Sequence, residues 1–209
     1  MLRLILTFVL IAIPAAHSNA GFVYSFGQSN YNVAANGTVD VEIYLLQSNP
    51  VGDPVDLSVD GLQSGGVNVF FDNMPPSQPA FVNSLADIVP NPQFDDTLFG
   101  EELFLTSGSS AGFVDGVNTT PLTGNSIFLG TIRFTAGGVV GEVTHLLATD
   151  LRAQDDIIAG DAFFTPLDSL VGNGSATITV TAVPEPSSAL LLVLGATLFT
   201  RFRHRRNHC

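Results

Sequence analysis

Apolar and polar residues alternate along much of this chain with a period of two. Between Thr38 and Leu46, the residues Val39, Val41, Ile43 and Leu45 fall on one side, and Asp40, Glu42 and Tyr44 on the other. Val67, Val69 and Phe71 alternate with Asn68 and Phe70, and Ile132 and Phe134 share a side within 127–135. Ala176, Ile178 and Val180 alternate with Thr177, Thr179 and Thr181. Successive side chains of an extended backbone point to opposite faces, so this pattern predicts half-buried β-strands, and the many β-branched residues agree. The dipeptides Asn36-Gly37, Asp60-Gly61, Asp115-Gly116 and Asn173-Gly174 supply turn chemistry between the runs. Counting the runs predicts about eight or nine strands and an all-β domain of two packed sheets. Leu85 to Val89, flanked by Pro79 and Pro90, reads as a short helical turn within a long connection.

The two ends depart from this pattern. Arg3 precedes an apolar run from Leu4 to Ala16, 13 residues long, and Ser18-Asn19-Ala20 then places small residues at the positions a signal peptidase tests. Residues 1–20 therefore read as an export signal cut between Ala20 and Gly21. At the other end, Pro186 to Thr200 is 15 residues without a charge, followed at once by Arg201, Arg203, Arg205 and Arg206. As a helix this run reaches about 22 Å, short of a hydrocarbon core of about 30 Å. Arginine side chains that snorkel to the headgroups lengthen such a span, and their clustering marks that side as cytoplasmic. Pro184 and Pro186 lack backbone donors and set the boundary upstream.

The order of these pieces (Pro184-Glu185-Pro186, apolar span, arginine cluster) resembles a PEP-CTERM sorting tail over 184–209. The resemblance implies recognition by an exosortase, a membrane-embedded cysteine protease or transpeptidase that cuts near the Pro-Glu-Pro triplet. It further implies a membrane-anchored intermediate in a Gram-negative envelope, then a cell-surface or extracellular protein associated with exopolysaccharide or biofilm. An uncut C-terminal anchor is the competing reading. The exported domain is then 21–183.

Charge narrows the partners of that domain. Only Arg133 and Arg152 are basic against 18 acids, a net formal charge of −16, and the chain has no lysine. Such a surface repels phosphate backbones and excludes a nucleic-acid partner. It favours solubility and draws cations or basic surfaces. The sole cysteine, Cys209, lies in the tail, so the domain has no disulfide, no thiolate ligand and no thiol nucleophile.

Candidate chemistry within the domain is sparse. His145 is its one histidine, but no nucleophile-elbow pattern surrounds Ser126 or Ser169, and VTHLL reads as a strand. Glu101-Glu102 offers two carboxyls, yet neighbours on a strand face opposite ways, whereas glycosidase chemistry needs two carboxyls across one bond. No catalytic residue is assigned, and the domain reads as non-enzymatic. Asp150, Asp155, Asp156 and Asp161, with Gly160, cluster in a loop-like segment, and oxygen ligands of this kind suit calcium. Their spacing departs from an EF-hand loop, and solvated turn acids are the plainer reading, so no metal ligand is assigned. Tyr44, on the polar side of its run, is the best-placed ring for a glycan platform, against simple packing on the sheet.

The sequence of pieces NVAANGTVDVEIYL, GGVNVFFD, LGTIRFTA, TDLRAQDDIIAG and GNGSATITV resembles a cohesin-like or related carbohydrate-binding sandwich of jelly-roll type. The resemblance covers most of 21–182 and rests on hydrophobic pattern and a few glycines. It implies that GGVNVFFD lies in a core sheet and ends at Asp72, where a loop opens. The fold alone does not choose between docking, sugar binding and scaffolding. Three functions follow as expectations: an exported matrix protein, a binding module for a secreted partner or glycan, and, last, a secreted hydrolase.

Overall fold

In the computed structural model, which describes residues 21–48, 50, 52–72, 80–94, 100–106, 108–117, 120–151 and 156–182, the alternating runs are strands. Strand β3 (Thr38–Gln47) buries Val41, Ile43 and Leu45 and exposes Asp40 and Glu42. Strand β5 (Gly66–Phe71) buries Val67, Val69 and Phe71, β9 (Ser126–Thr135) buries Ile132 and Phe134, and β13 (Gly174–Thr181) buries Ala176, Ile178 and Val180. The remaining longer strands are β1 (Phe22–Phe26), β2 (Asn30–Ala34), β7 (Glu102–Thr106), β8 (Ser110–Val114) and β10 (Val143–Thr149). These nine strands of five or more residues account for the expected eight or nine.

Four shorter strands raise the number among the described residues to 13: β4 (Leu62–Ser64), β6 (Ile88–Pro90), β11 (Ile158–Ala159) and β12 (Val171–Gly172). The count read from the sequence is corrected upward because two or three residues cannot display a period. Leu85–Asp87 is the expected helical turn, a 3₁₀ turn, but Ile88 and Val89 leave it to enter β6. Asn36 and Gly61 hold positive φ (58° and 75°), as turn residues should. Asn173-Gly174 marks no hairpin, because Gly174 already belongs to β13. A Cβ at Gly174 would overlap the Tyr24 carbonyl, so glycine lets β13 pass close to β1.

Two sheets face each other. One has the order β12-β1-β3-β9-β6, the other β2-β13-β10-β5-β8-β7, and β11 pairs with β4 in a small third sheet. Most pairings are antiparallel, while β12 joins β1 and β2 joins β13 in parallel. The core lies between the sheets, where Phe71 of β5 meets Phe134 of β9 edge-on with ring centroids 5.2 Å apart. Strand β5 sits between β10 and β8, inside the six-stranded sheet, and Asp72 follows it as expected. Neighbours β10 and β13 are joined by a long crossover that visits β11, a second 3₁₀ turn (Asp168–Leu170) and β12 before returning.

The signal segment, the sorting triplet Pro184-Glu185-Pro186 and the arginines after Thr200 lie outside the described residues, as does Asp155. Among the described residues no helix is long and apolar enough to cross a membrane.

Candidate functional site

The crossover between β10 and β13 gathers acids that are far apart in sequence. Asp150 follows the last residue of β10, Asp156 stands just before β11, and Asp168 opens the second 3₁₀ turn. Carboxylate oxygens of the three lie within 4.8 Å of one another. Asp168 has a structural task as well: its Oδ1 accepts hydrogen bonds from the backbone amides of Asp156 (3.1 Å) and Ile157 (3.3 Å). Its Oδ2 is buried without a hydrogen-bond partner.

Asp156 is the centre of the group. Its residue is 7% exposed, and neither carboxylate oxygen has a hydrogen-bond donor. Its backbone carbonyl accepts from Ser64 Oγ at 2.8 Å, which ties it to β4. The carboxylate lies against β5 at Gly66, where a Cβ would come within 2.6 Å of Oδ2, so any other residue there would push the acid away. Burial, and then the carboxyls of Asp168 and Asp150, push the Asp156 pKa up to about 9. Tyr24 is buried nearby: its hydroxyl donates to the Gly66 carbonyl at 2.6 Å and so links β1 to β5. Burial, followed by Asp150, Asp156 and Asp168, raises its phenol well above the ordinary value.

This arrangement differs from the acidic cluster expected from the sequence. Asp150 and Asp156 do belong to it. Asp161 does not, because its carboxylate accepts from the Thr165 amide (2.7 Å) and hydroxyl (2.9 Å) and closes a local turn. That turn displays Phe163 and Phe164, the latter at φ 52°. Asp168 was missed because it stands 12 residues beyond Asp156, and only the return of the crossover brings it back. The Gly65-Gly66 doublet, visible in GGVNVFFD, was the one sequence signal that something approaches the backbone there.

The other candidates are dispersed. His145 lies on the outer face of β10, Ser126 opens β9 in the opposite sheet, and Ser169 sits in the second 3₁₀ turn. Glu101 and Glu102 are both exposed at the start of β7. The Tyr44 ring packs on Phe128 with centroids 5.4 Å apart, and its hydroxyl donates to Glu42 at 2.9 Å. Packing on the sheet, rather than an open platform, describes it.

A second feature is the outer face of the six-stranded sheet. The β10–β5 register sets Leu147 opposite Phe70, and the β10–β13 register sets Val143 opposite Thr179 and His145 opposite Thr177. Phe70, Val143 and Leu147 are 46%, 44% and 41% exposed, in the middle of the sheet rather than at an edge. Thr177, Thr179 and, from β2, Asn30 and Asn32 flank them.

No protein-family model and no curated protein sequence matches the chain. Solved structures do match, cohesin modules among them. CaCohA2 from Clostridium acetobutylicum is 12% identical with a TM-score of 0.50, covering 76% of this chain and 91% of its own. A type III cohesin module from the cellulosomal ScaE cell-surface anchoring scaffoldin of Ruminococcus flavefaciens is 12% identical (TM-score 0.45; 82% and 93% covered). A cohesin module from a Clostridium perfringens family 33 glycoside hydrolase is 13% identical (TM-score 0.47; 78% and 98% covered). At these identities the likeness is one of fold: the domain is an all-β, cohesin-like two-sheet sandwich.

Proposed function

We propose that the domain is a non-catalytic binding module that takes an exported protein partner on the outer face of its six-stranded sheet. The observation that carries this reading is the exposed apolar centre formed by Phe70, Val143 and Leu147, flanked by hydroxyl and amide side chains. An apolar middle with a polar surround is the anatomy of a recognition surface rather than of a bare solvent face. The cohesin-like fold supports the same class of function, and the scattering of His145, Ser126, Glu101 and Glu102 supports the absence of an active site. With a net charge of −16 over residues 21–183, the complementary partner is basic, with apolar side chains for the centre.

In this reading the signal at 1–20 exports the chain and the tail at 184–209 holds it in the membrane until an exosortase-type enzyme acts at Pro184-Glu185-Pro186. The module then serves at the cell surface or in an exopolysaccharide matrix. The resemblance of the tail to sorting signals supports this part.

The test is a comparative capture from the host's own secreted proteins. The chain should retain a partner that the F70D/L147D double variant loses while keeping the same thermal melt, and added salt should weaken the capture. E42K, on the outer face of the other sheet, should retain it. Equal capture by all three chains would place recognition elsewhere.

A further inference from the structure

We propose that Asp150, Asp156 and Asp168 form a calcium site that staples the β10–β13 crossover to both sheets. Three observations converge. The first is spacing: calcium binds oxygens at about 2.3–2.6 Å, so ligands on opposite sides of its shell stand about 5 Å apart. The three carboxylates, within 4.8 Å of one another, fit inside that shell. Magnesium, at about 2.1 Å and in near-ideal octahedral geometry, would draw opposite ligands to about 4 Å. Loop-borne carboxylates with no nitrogen or sulfur among them suit the larger, more tolerant ion.

The second is the state of Asp156. Its side chain is aimed into the group, the residue is 7% exposed, and neither oxygen is met by a donor. Buried carboxylates ordinarily collect amides, hydroxyls or a basic side chain. Asp168 repeats the point in half: Oδ1 is occupied by two backbone amides, and Oδ2 is left buried without a donor. One oxygen holds the loop while the other is free for an ion.

The third is the supply of positive charge. The chain has no lysine. Among the described residues Arg133 is the one arginine, and it is already committed to Asp40 through two bonds of 2.7 and 2.9 Å. Arg152, between Asp150 and Asp156, lies outside the described residues, and among the described ones a divalent cation is the compensation that the three carboxylates invite.

The staple would tie three pieces together. Asp150 extends from β10 in the six-stranded sheet, and Asp168 leads into β12, which pairs with β1 in the five-stranded sheet. Asp156 leads into β11, on the small sheet with β4. A cation here closes a crossover whose ends are already neighbours but whose middle is joined only by short strands.

The full chain in mild detergent is melted in calcium chloride and in chelator, with calcium binding followed in parallel by calorimetry. At calcium about a hundredfold above its dissociation constant, the melting midpoint should rise by about 5–10 °C. D156N and D168N should lose the rise. D156N in chelator should melt at or above wild type, since the amide keeps the shape and removes the repulsion. D161N should keep the rise, because Asp161 serves only the Thr165 turn. F70D/L147D should keep it too, which separates this proposal from the binding face. Coincident melts of wild type in the two media with no binding heat would overturn the site. So would a D156N chain that keeps the rise, or one that is weakened equally in calcium and chelator. An equal rise in magnesium chloride would overturn the choice of calcium.

Discussion

Asp156 and Ile43 are both buried, and opposite substitutions at them have opposite consequences. Ile43 is fully buried in the hydrophobic core, so Ile43→Asp would place an unpaired charge there and cost roughly 3–5 kcal/mol. Glu42→Lys, one residue away on the solvent face, should change stability by less than about 0.5 kcal/mol. Denaturant titration of the two variants checks both, and equal losses would mean that the facing of β3 is wrong. At Asp156 the buried side chain is already an ionisable carboxyl. In the calcium-free folded chain its carboxyl titrates near 9, against about 3.9 for an ordinary aspartate when unfolded. Between those values the folded chain holds the extra proton, so the stability that this group contributes is fully present below about pH 4 and is lost as pH rises toward 9. In chelator the advantage of D156N over wild type should therefore grow from about pH 5 to about pH 8. The groups facing Asp156 are Asp150, Asp168 and the neutral Tyr24 phenol, and none of them reverses that sign. A constant difference between the two chains over that range would refute the assignment.

At the scale of elements, what could be read from the sequence was whatever repeats locally. The facing of β3, β5, β9 and β13 follows from side-chain alternation alone, and each buries the residues expected, except that Val39 near the start of β3 is only half-buried. The turn at Asn36-Gly37 was equally legible, because positive φ selects for these residue types. The short strands were not, since β12 forms on the edge of β1 and β11 against another short strand, β4, pairings that no local pattern announces. The acidic site failed for a related reason. Sequence proximity grouped Asp161 with Asp156, whereas the fold spends Asp161 on a turn and recruits Asp168 from the far side of it. A crossover that leaves a sheet and returns makes neighbours of residues that no local pattern connects.

At the scale of the whole molecule, the proposed reading gives the ends the choice of destination and the sandwich the choice of what is carried there. A protease reading Pro-Glu-Pro at a membrane surface needs the triplet extended and in water. Pro184 and Pro186 restrict the backbone, and Glu185 resists entry into hydrocarbon. Replacing all three by alanine should leave the chain exported but uncut and retained in the membrane fraction with Cys209 attached. Fractionation in a host with the matching exosortase, followed by mass spectrometry, checks this; wild-type trimming of the triple variant would reduce the tail to an anchor. The cohesin-like architecture was legible from the order of the pieces, because the strands keep that order and β5 keeps its inner position. A partner was not legible, because exposed Phe70 and Leu147 become a patch only once β5 and β10 are side by side.

The placement of β13 has a mechanical consequence. This strand is the last described element before the tail, and it is flanked on both sides, by β2 in a parallel register of five pairs and by β10 in an antiparallel register of six. A pull on the chain beyond Ala182 runs along the axis of β13 and so lies across both sets of hydrogen bonds. Bonds loaded in this way share the force and must fail together, whereas a strand peeled from an edge loses them one at a time. A domain tethered by its C-terminus and loaded through its outer face would thus resist tension as a shear joint.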